Sequence, residues 1–146
     1  MNKRTLKQSH YKQVETLFAK SFEVPLTDLI LSWDSRDERS VGFFIYGTLI
    51  GFMIASYHAS SKKSLYVDYF AVSEEFRGSG LGTELLRELI ADTYARNESV
   101  HLFPITDKLA LWYEKNGFRK THGGYYVFHS YKTRRQDALH KELGLV

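Results

Sequence analysis

Apolar positions along this chain recur at two periods, and the places where the period changes outline its elements. After a short segment from Lys3 to Leu6, the residues Val14, Leu17, Phe18 and Phe22 share one helical face, with Ser9 suited to cap that helix. Pro25 suits the first turn of a second helix, where Leu26, Leu29, Ile30 and Trp33 follow at helical spacing before the polar run Asp34 to Arg39. Val41 to Tyr46 and Leu49 to Tyr57 are apolar runs too short for helices, and Gly47-Thr48 between them reads as a hairpin turn. Leu65 to Val72 extends that antiparallel sheet by a third strand.

A helical pattern returns from Thr83 to Ala95, with Leu81, Leu85, Leu86, Leu89 and Ile90 on one face. Val100 to Ile105 reads as a further strand. Because a helix separates it from Leu65 to Val72, the two are expected to pair in parallel through a crossover. A last compact helix, about Lys108 to Asn116, ends at Asn116-Gly117, where glycine supplies the left-handed cap, and Phe118 restarts an extended segment. Tyr125 to Tyr131 reads as the final strand and Thr133 to Leu143 as a polar helix. No internal repeat or low-complexity linker interrupts the order, so the expectation is one domain spanning residues 1–146, an α/β fold with a mixed, mostly antiparallel sheet.

Arg77-Gly78-Ser79-Gly80-Leu81-Gly82 joins the third strand to the long helix. Glycines allow a tight turn and a close approach of ligand to backbone, while the N–H groups that open a helix lack intrahelical partners and sit at the positive end of its dipole. Such a turn suits phosphate, although three glycines also serve to turn a tight corner. A nucleotide P-loop would need Gly-Lys followed by Ser or Thr after four spacers. A dinucleotide fold would need G-x-G-x-x-G near the first strand and a later acidic residue, and neither pattern is present.

Composition narrows the classes further. At 146 residues, with 43% hydrophobic and 15% aromatic residues, the chain can bury a substantial core. There is no cysteine, which removes disulfides, thiolate nucleophiles and cysteine metal sites, and His101, His122, His129 and His140 lack metal-ligand spacing. The net charge of +3 is modest and dispersed apart from Lys62-Lys63 and Lys132, Arg134 and Arg135, so no nucleic-acid partner is expected. No segment approaches the roughly 20 apolar residues of a membrane span, so no membrane partner is expected and the location expected is cytoplasmic.

With Phe70-Ala71-Val72 before the turn and a helix after it, Arg77, Gly80 and Gly82 match Arg/Gln-x-x-Gly-x-Gly/Ala, the central signature of the GNAT superfamily of N-acetyltransferases. Trp112-Tyr113-Glu114-Lys115-Asn116-Gly117-Phe118 is similar to that superfamily's second signature. The resemblance covers roughly Val41 to Phe118 and implies the GNAT fold, with helices on both faces of the sheet and acetyl-CoA as cosubstrate without a metal. It implies that Arg77, Gly78, Ser79, Gly80, Leu81, Gly82 and Thr83 cradle the pyrophosphate and that the strand edge at Phe70, Ala71 and Val72 takes the pantetheine arm. Thr106 stands where many members carry a cofactor-contacting asparagine, and Asp107 is next to it. A homodimer is also implied by family analogy, with the C-terminal tail as a contributor.

The chemistry needs two proton-transfer groups. An alkyl amine titrating near 10.4 must lose a proton before attacking a thioester, and a departing thiolate benefits from a nearby donor. With no cysteine to form an acetyl-enzyme, direct transfer in a ternary complex is expected. By resemblance Tyr113 is the general acid; the alternative is a packed tyrosine. Asp68 lies in an otherwise apolar strand, where an unpaired charge is costly, and reads either as the base or as a carboxylate reaching solvent or an arginine. The run Leu65 to Gly82 resembles the spermidine/spermine branch, where an acidic residue at the place of Asp68 is tied to amine deprotonation, although Tyr69 replaces the second acidic residue there. A polyamine or diamine acceptor would be held by spaced carboxylates, and Asp28, Asp34, Asp37 and Glu38 lie in the region that flanks the acceptor cleft in this superfamily; they read equally as a solvated helix end. Glu74 and Glu75 read as exposed loop charges. A protein or peptide N-acetyltransferase and a non-catalytic coenzyme A binding module are the alternatives to a small-molecule enzyme.

Overall fold

The apolar runs after residue 40 become strands that bury both faces. A computed structural model of the chain describes residues 2–57, 63–129 and 142–143. The described residues of Met1–Tyr57 and Val67–Leu85 form one compact unit, and those of His58–Tyr66 and Leu86–Val146 form a second.

In the first unit, β1 (Asn2–Thr5) pairs antiparallel with β2 (Val41–Ile45), and β2 forms a hairpin with β3 (Thr48–Tyr57). The larger part of β4 (Ser64–Val72) belongs here too. Strand alternation sends neighbouring residues into different cores. Phe44 and Ala71 join Val14, Leu17 and Phe18 of α1 (Tyr11–Ser21) and Leu29 and Trp33 of α2 (Leu26–Asp34) in one cluster. Phe43, Phe70 and Val72 join Ile50, Leu81 and Leu85 in another, where Leu81 and Leu85 open α3 (Leu81–Ala95). The β2–β3 register shifts between Phe43, opposite Gly51, and Phe44, opposite Leu49, leaving Ile50 as a bulged residue. The carbonyl of Ile50 accepts the N–H of Ser73 at 2.7 Å, fastening the bulge to the exit of β4.

In the second unit, the N–H of Ser99 donates to the carbonyl of Lys63 at 2.7 Å and so starts β5 (Ser99–Leu102) beside the beginning of β4. β5 pairs antiparallel with β7 (Tyr126–Phe128), which also pairs with β6 (Arg119–Lys120). Leu86, Leu89 and Ile90 of α3 are buried, and α4 (Asp107–Lys115) follows β5. The strand order is β1-β2-β3-β4-β5-β7-β6, with β4 and β5 the parallel pair in a mostly antiparallel sheet, as the crossover argument predicts.

Several boundaries differ from the sequence reading for identifiable reasons. Ser9 is not the helix cap: a 3-10 turn over Gln8–His10 precedes α1, and His10 Nδ1 accepts the Lys7 N–H at 2.9 Å. Pro25 sits one position before α2 rather than in its first turn. Ile30 is 43% exposed, because α2 meets the core through Leu29 and Trp33 alone, four residues apart. α3 begins at Leu81, inside the glycine turn, β5 stops at Leu102 and α4 spans Asp107–Lys115. The expected last strand is seen over Tyr126–Phe128, while its end and most of the Thr133 to Leu143 helix lie outside the described residues.

The hairpin turn is Tyr46-Gly47, not Gly47-Thr48. Ile45 pairs with Thr48, and both intervening residues have positive φ, 49° and 80°. This is the primed geometry that matches strand twist, and Tyr46 is strained in it. Gln13 secures the turn: its Nε2 donates to the Gly47 carbonyl at 3.2 Å and its Oε1 accepts the Leu49 N–H at 2.8 Å. Tyr46 is fully exposed, so its side chain offsets none of the strain by packing. Tyr46→Asn is expected to stabilise the protein by about 1 kcal/mol in urea unfolding, since asparagine tolerates this conformation. An unchanged or lower midpoint would show the turn to be unstrained.

Candidate active site

The exit of β4 carries the first group of expected residues. A 3-10 turn over Glu74–Phe76 follows Ser73, and Arg77 donates from Nε to the carbonyl of Val72 at 3.0 Å. Ser79 Oγ–H donates to the Phe76 carbonyl at 2.6 Å. Gly78 and Gly80 have φ of 81° and 86°, and a Cβ at either would meet nothing within 4 Å. Glycine is required there by conformation, not by space. The N–H of Glu84 closes onto the Gly80 carbonyl at 3.0 Å, so Leu81, Gly82 and Thr83 donate nothing further back in the helix. The Leu81 side chain is buried in the core beneath, while Arg77 to Gly80 are exposed. Anchored turn, open glycines and leading N–H groups together make an exposed donor surface at a helix N-terminus.

Along β4, Phe70 and Val72 pack on the cluster that holds Leu81, and Tyr69 and Ala71 on the cluster of α1 and α2. Asp68 is half-buried and its Oδ2 accepts the hydroxyl of Ser56 on β3 at 2.7 Å. Tyr69 stacks edge-on against Phe18 and Phe22, with centroids 4.9 and 5.3 Å away. Burial, reinforced by the charges of Asp28 and Asp68, raises its phenol above the usual tyrosine range. The fold thus brings Asp28 and Asp68 to the same tyrosine. Asp34 instead acts on Tyr11, and Asp37 is paired with Arg39 at 3.0 Å. Glu38, Glu74 and Glu75 are exposed.

In the second unit Tyr113 lies on α4, 7% exposed, against Trp112 and edge-on to Phe118. Burial pushes its phenol up to about 12. It therefore stays protonated across the working range and can donate, never accept as a phenolate. Thr106 caps α4, its Oγ1 accepting the Leu109 N–H at 3.1 Å, and Gly117, at φ 96°, ends the segment that presents Tyr113. Asp107 lies in the first helical turn, where its charge complements the helix dipole.

Comparison with known proteins decides the family. Residues 39–120 match the model of the acetyltransferase (GNAT) domain. The chain belongs to the GNAT acetyltransferase family. As a member it is an acetyl-CoA-dependent N-acetyltransferase. No curated protein sequence matches it. Among solved structures, Ard1 from Thermoplasma volcanium is similar with a TM-score of 0.74 at 19% identity, covering 90% of this chain and 98% of that one. The ribosomal-protein-S18-alanine N-acetyltransferase of Escherichia coli gives 0.71 at 16% identity, covering 90% and 95%. An Escherichia coli GNAT family N-acetyltransferase in complex with CoA gives 0.72 at 18%, covering 94% and 83%. These likenesses establish the GNAT fold.

The turn of this GNAT chain fits a pyrophosphate by its own geometry, through open glycines and unpartnered leading N–H groups. No group of three or more metal-ligating side chains gathers among the described residues, and no described helix is long and apolar enough to cross a membrane. Sequence reasoning passed over Ser56, although its signal was present: it is a hydroxyl inside an otherwise apolar run that lies antiparallel to the strand of Asp68. Gly80→Val is expected to weaken CoA binding at least about tenfold in calorimetric titration, because a β-branched residue cannot hold this φ. Unchanged affinity would remove the turn from the binding surface. Tyr113 also sets an alkaline limit on stability: its folded pKa lies above the unfolded value near 10, so stability present below pH 10 falls as pH rises towards 12. Tyr113→Phe should remove up to roughly 3 kcal/mol of that decline, read by urea unfolding between pH 9 and 12. An identical decline in the variant would contradict the buried phenol.

Proposed function

We propose that this N-acetyltransferase acts on a primary amine of a small cationic acceptor, a diamine or polyamine such as putrescine or spermidine. The observation that carries the reading is Asp68, a half-buried carboxylate held on its strand by Ser56, with Asp28 near enough that the charges of both act on Tyr69. Two carboxylates acting on one neighbourhood suit an acceptor with more than one ammonium group. Asp37 drops out of the acceptor set, since Arg39 already neutralises it, and Asp34 is assigned to the neighbourhood of Tyr11.

Bound acetyl-CoA supplies an acetyl thioester. Its pyrophosphate is assigned to the N–H groups of Leu81, Gly82 and Thr83 with Gly78, Ser79 and Gly80, and Arg77 adds positive charge. The pantetheine arm is assigned to the edge of β4 at Phe70, Ala71 and Val72, a reading supported by the four-residue length of β5 against nine for β4. Thr106 is kept in the cofactor set through its place at the head of α4, its hydroxyl being engaged as a cap. The Asp68 carboxylate takes a proton from the acceptor ammonium, directly or through water; the freed amine forms the N–C bond as the C–S bond breaks. Tyr113 gives its phenolic proton to the departing sulfur, and the second proton shed by the amine as it becomes an amide returns through water to restore the phenol. The Tyr113 phenol carries its proton at neutral pH, so that proton is in place to give.

A second reading, acetylation of a protein or peptide N-terminus, is favoured by the overall likeness to Ard1 and to the S18-alanine enzyme. The two separate in a thiol-release assay with acetyl-CoA and a panel of putrescine, spermidine, lysine peptides and peptides with free N-termini. Release with the diamine and polyamine, weakened about tenfold or more in KM for the amine by Asp28→Asn, is the expected result. Release with peptides alone would replace the polyamine reading by the second.

A further inference from the structure

Ser56 is 1% exposed, and its hydroxyl lies 2.7 Å from Oδ2 of Asp68. An ionised carboxylate only accepts, so the hydroxyl donates. The residues on both sides of Ser56 are held, Ala55 by its backbone and Tyr57 by its side chain. The Ala55 carbonyl accepts the Asp37 N–H at 2.7 Å and the Ser40 Oγ–H at 3.0 Å, and the Ala55 N–H donates to Ser40 Oγ at 2.9 Å. On the other side Tyr57 is held by Arg39, which donates from Nη2 to its hydroxyl and lies over its ring at 5.1 Å. Arg39 is fixed in turn, both its backbone N–H and its Nε donating to Asp37 Oδ2 at 3.0 Å. The Asp37–Ser40 loop therefore fixes the segment from which the Ser56 hydroxyl projects.

We propose that Ser56 is a positioning residue for the reaction, orienting the Asp68 carboxylate through the hydrogen bond of its buried hydroxyl and holding it ready to receive a proton from the acceptor amine. The inference rests on the reading of Asp68 as the base. A side chain on a strand rotates about χ1 and χ2 unless something stops it, and proton transfer needs the carboxylate within hydrogen-bond reach of the ammonium. A buried donor on the neighbouring strand stops the rotation. Tyr69 beside Asp68 and Asp28 from α2 are the other titratable groups coupled to this place, and both remain in the variants below.

The test uses the full chain, acetyl-CoA and putrescine, or whichever amine of the panel turns over fastest. Ser56→Ala is expected to lower kcat roughly tenfold and leave KM for acetyl-CoA within about twofold. Ser56→Thr, which keeps the hydroxyl, should restore the rate. If Ser56→Ala does not fold, Ser56→Cys keeps the volume with a weaker donor and should show a smaller loss of kcat. An unchanged kcat in Ser56→Ala while Asp68→Asn abolishes turnover overturns the role of Ser56 and leaves Asp68 as the base. Full turnover by Asp68→Asn overturns both.

Discussion

The N-terminus of α3 must leave its first N–H groups unbonded without burying them, and much of the first unit is arranged around that constraint. An orphan donor sealed from water costs on the order of 1–3 kcal/mol, so the turn has to lie at the surface while the helix it starts is rooted in the core. Leu81 and Leu85 supply the root, packed on Phe43 and Ile50. Ile50 reaches that cluster because the β2–β3 register slips by one residue, and the same residue's carbonyl takes the Ser73 N–H at the exit of β4. Arg77 on Val72 and Ser79 on Phe76 then tie the turn to itself. The turn is thus tied down by its own hydrogen bonds, and a preformed donor surface loses less entropy on binding.

Charge is handled by a complementary rule on the other side of β4. A half-buried carboxylate survives only with a donor, and Asp68 has Ser56. Asp37 has Arg39, which is tied to it by a salt bridge. Carboxylates that look alike in composition are separated into two kinds by what their neighbours donate. The charges of the exposed Asp28 and the half-buried Asp68 both act on Tyr69.

What was legible in the sequence was whatever depends on local backbone chemistry. Glycines at a tight turn and the glycine stop at Gly117 carry their signatures within a few residues, so the glycine turn and the segment around Tyr113 could be read directly, whereas the capping role of Thr106 was not read. What was not legible depends on register and on which side chains meet. The hairpin turn moved by one residue because ladder pairing, not composition, selects Tyr46-Gly47. Ile30 has the right spacing for a core it does not reach, since α2 buries only a narrow stripe. The partner of Asp37 is two residues away and that of Asp68 twelve, and no periodicity distinguishes the two cases.

Gly78 and Gly80 have open space where a side chain would go and a backbone that side chains of ordinary chirality resist. The constraint at these positions is therefore one of handedness and not of size. A D-alanine introduced by chemical synthesis would match the mirror-image preference of these torsions, whereas its L-enantiomer, of identical volume, would strain the same turn. Two peptides of one composition would then differ in anion binding through stereochemistry alone.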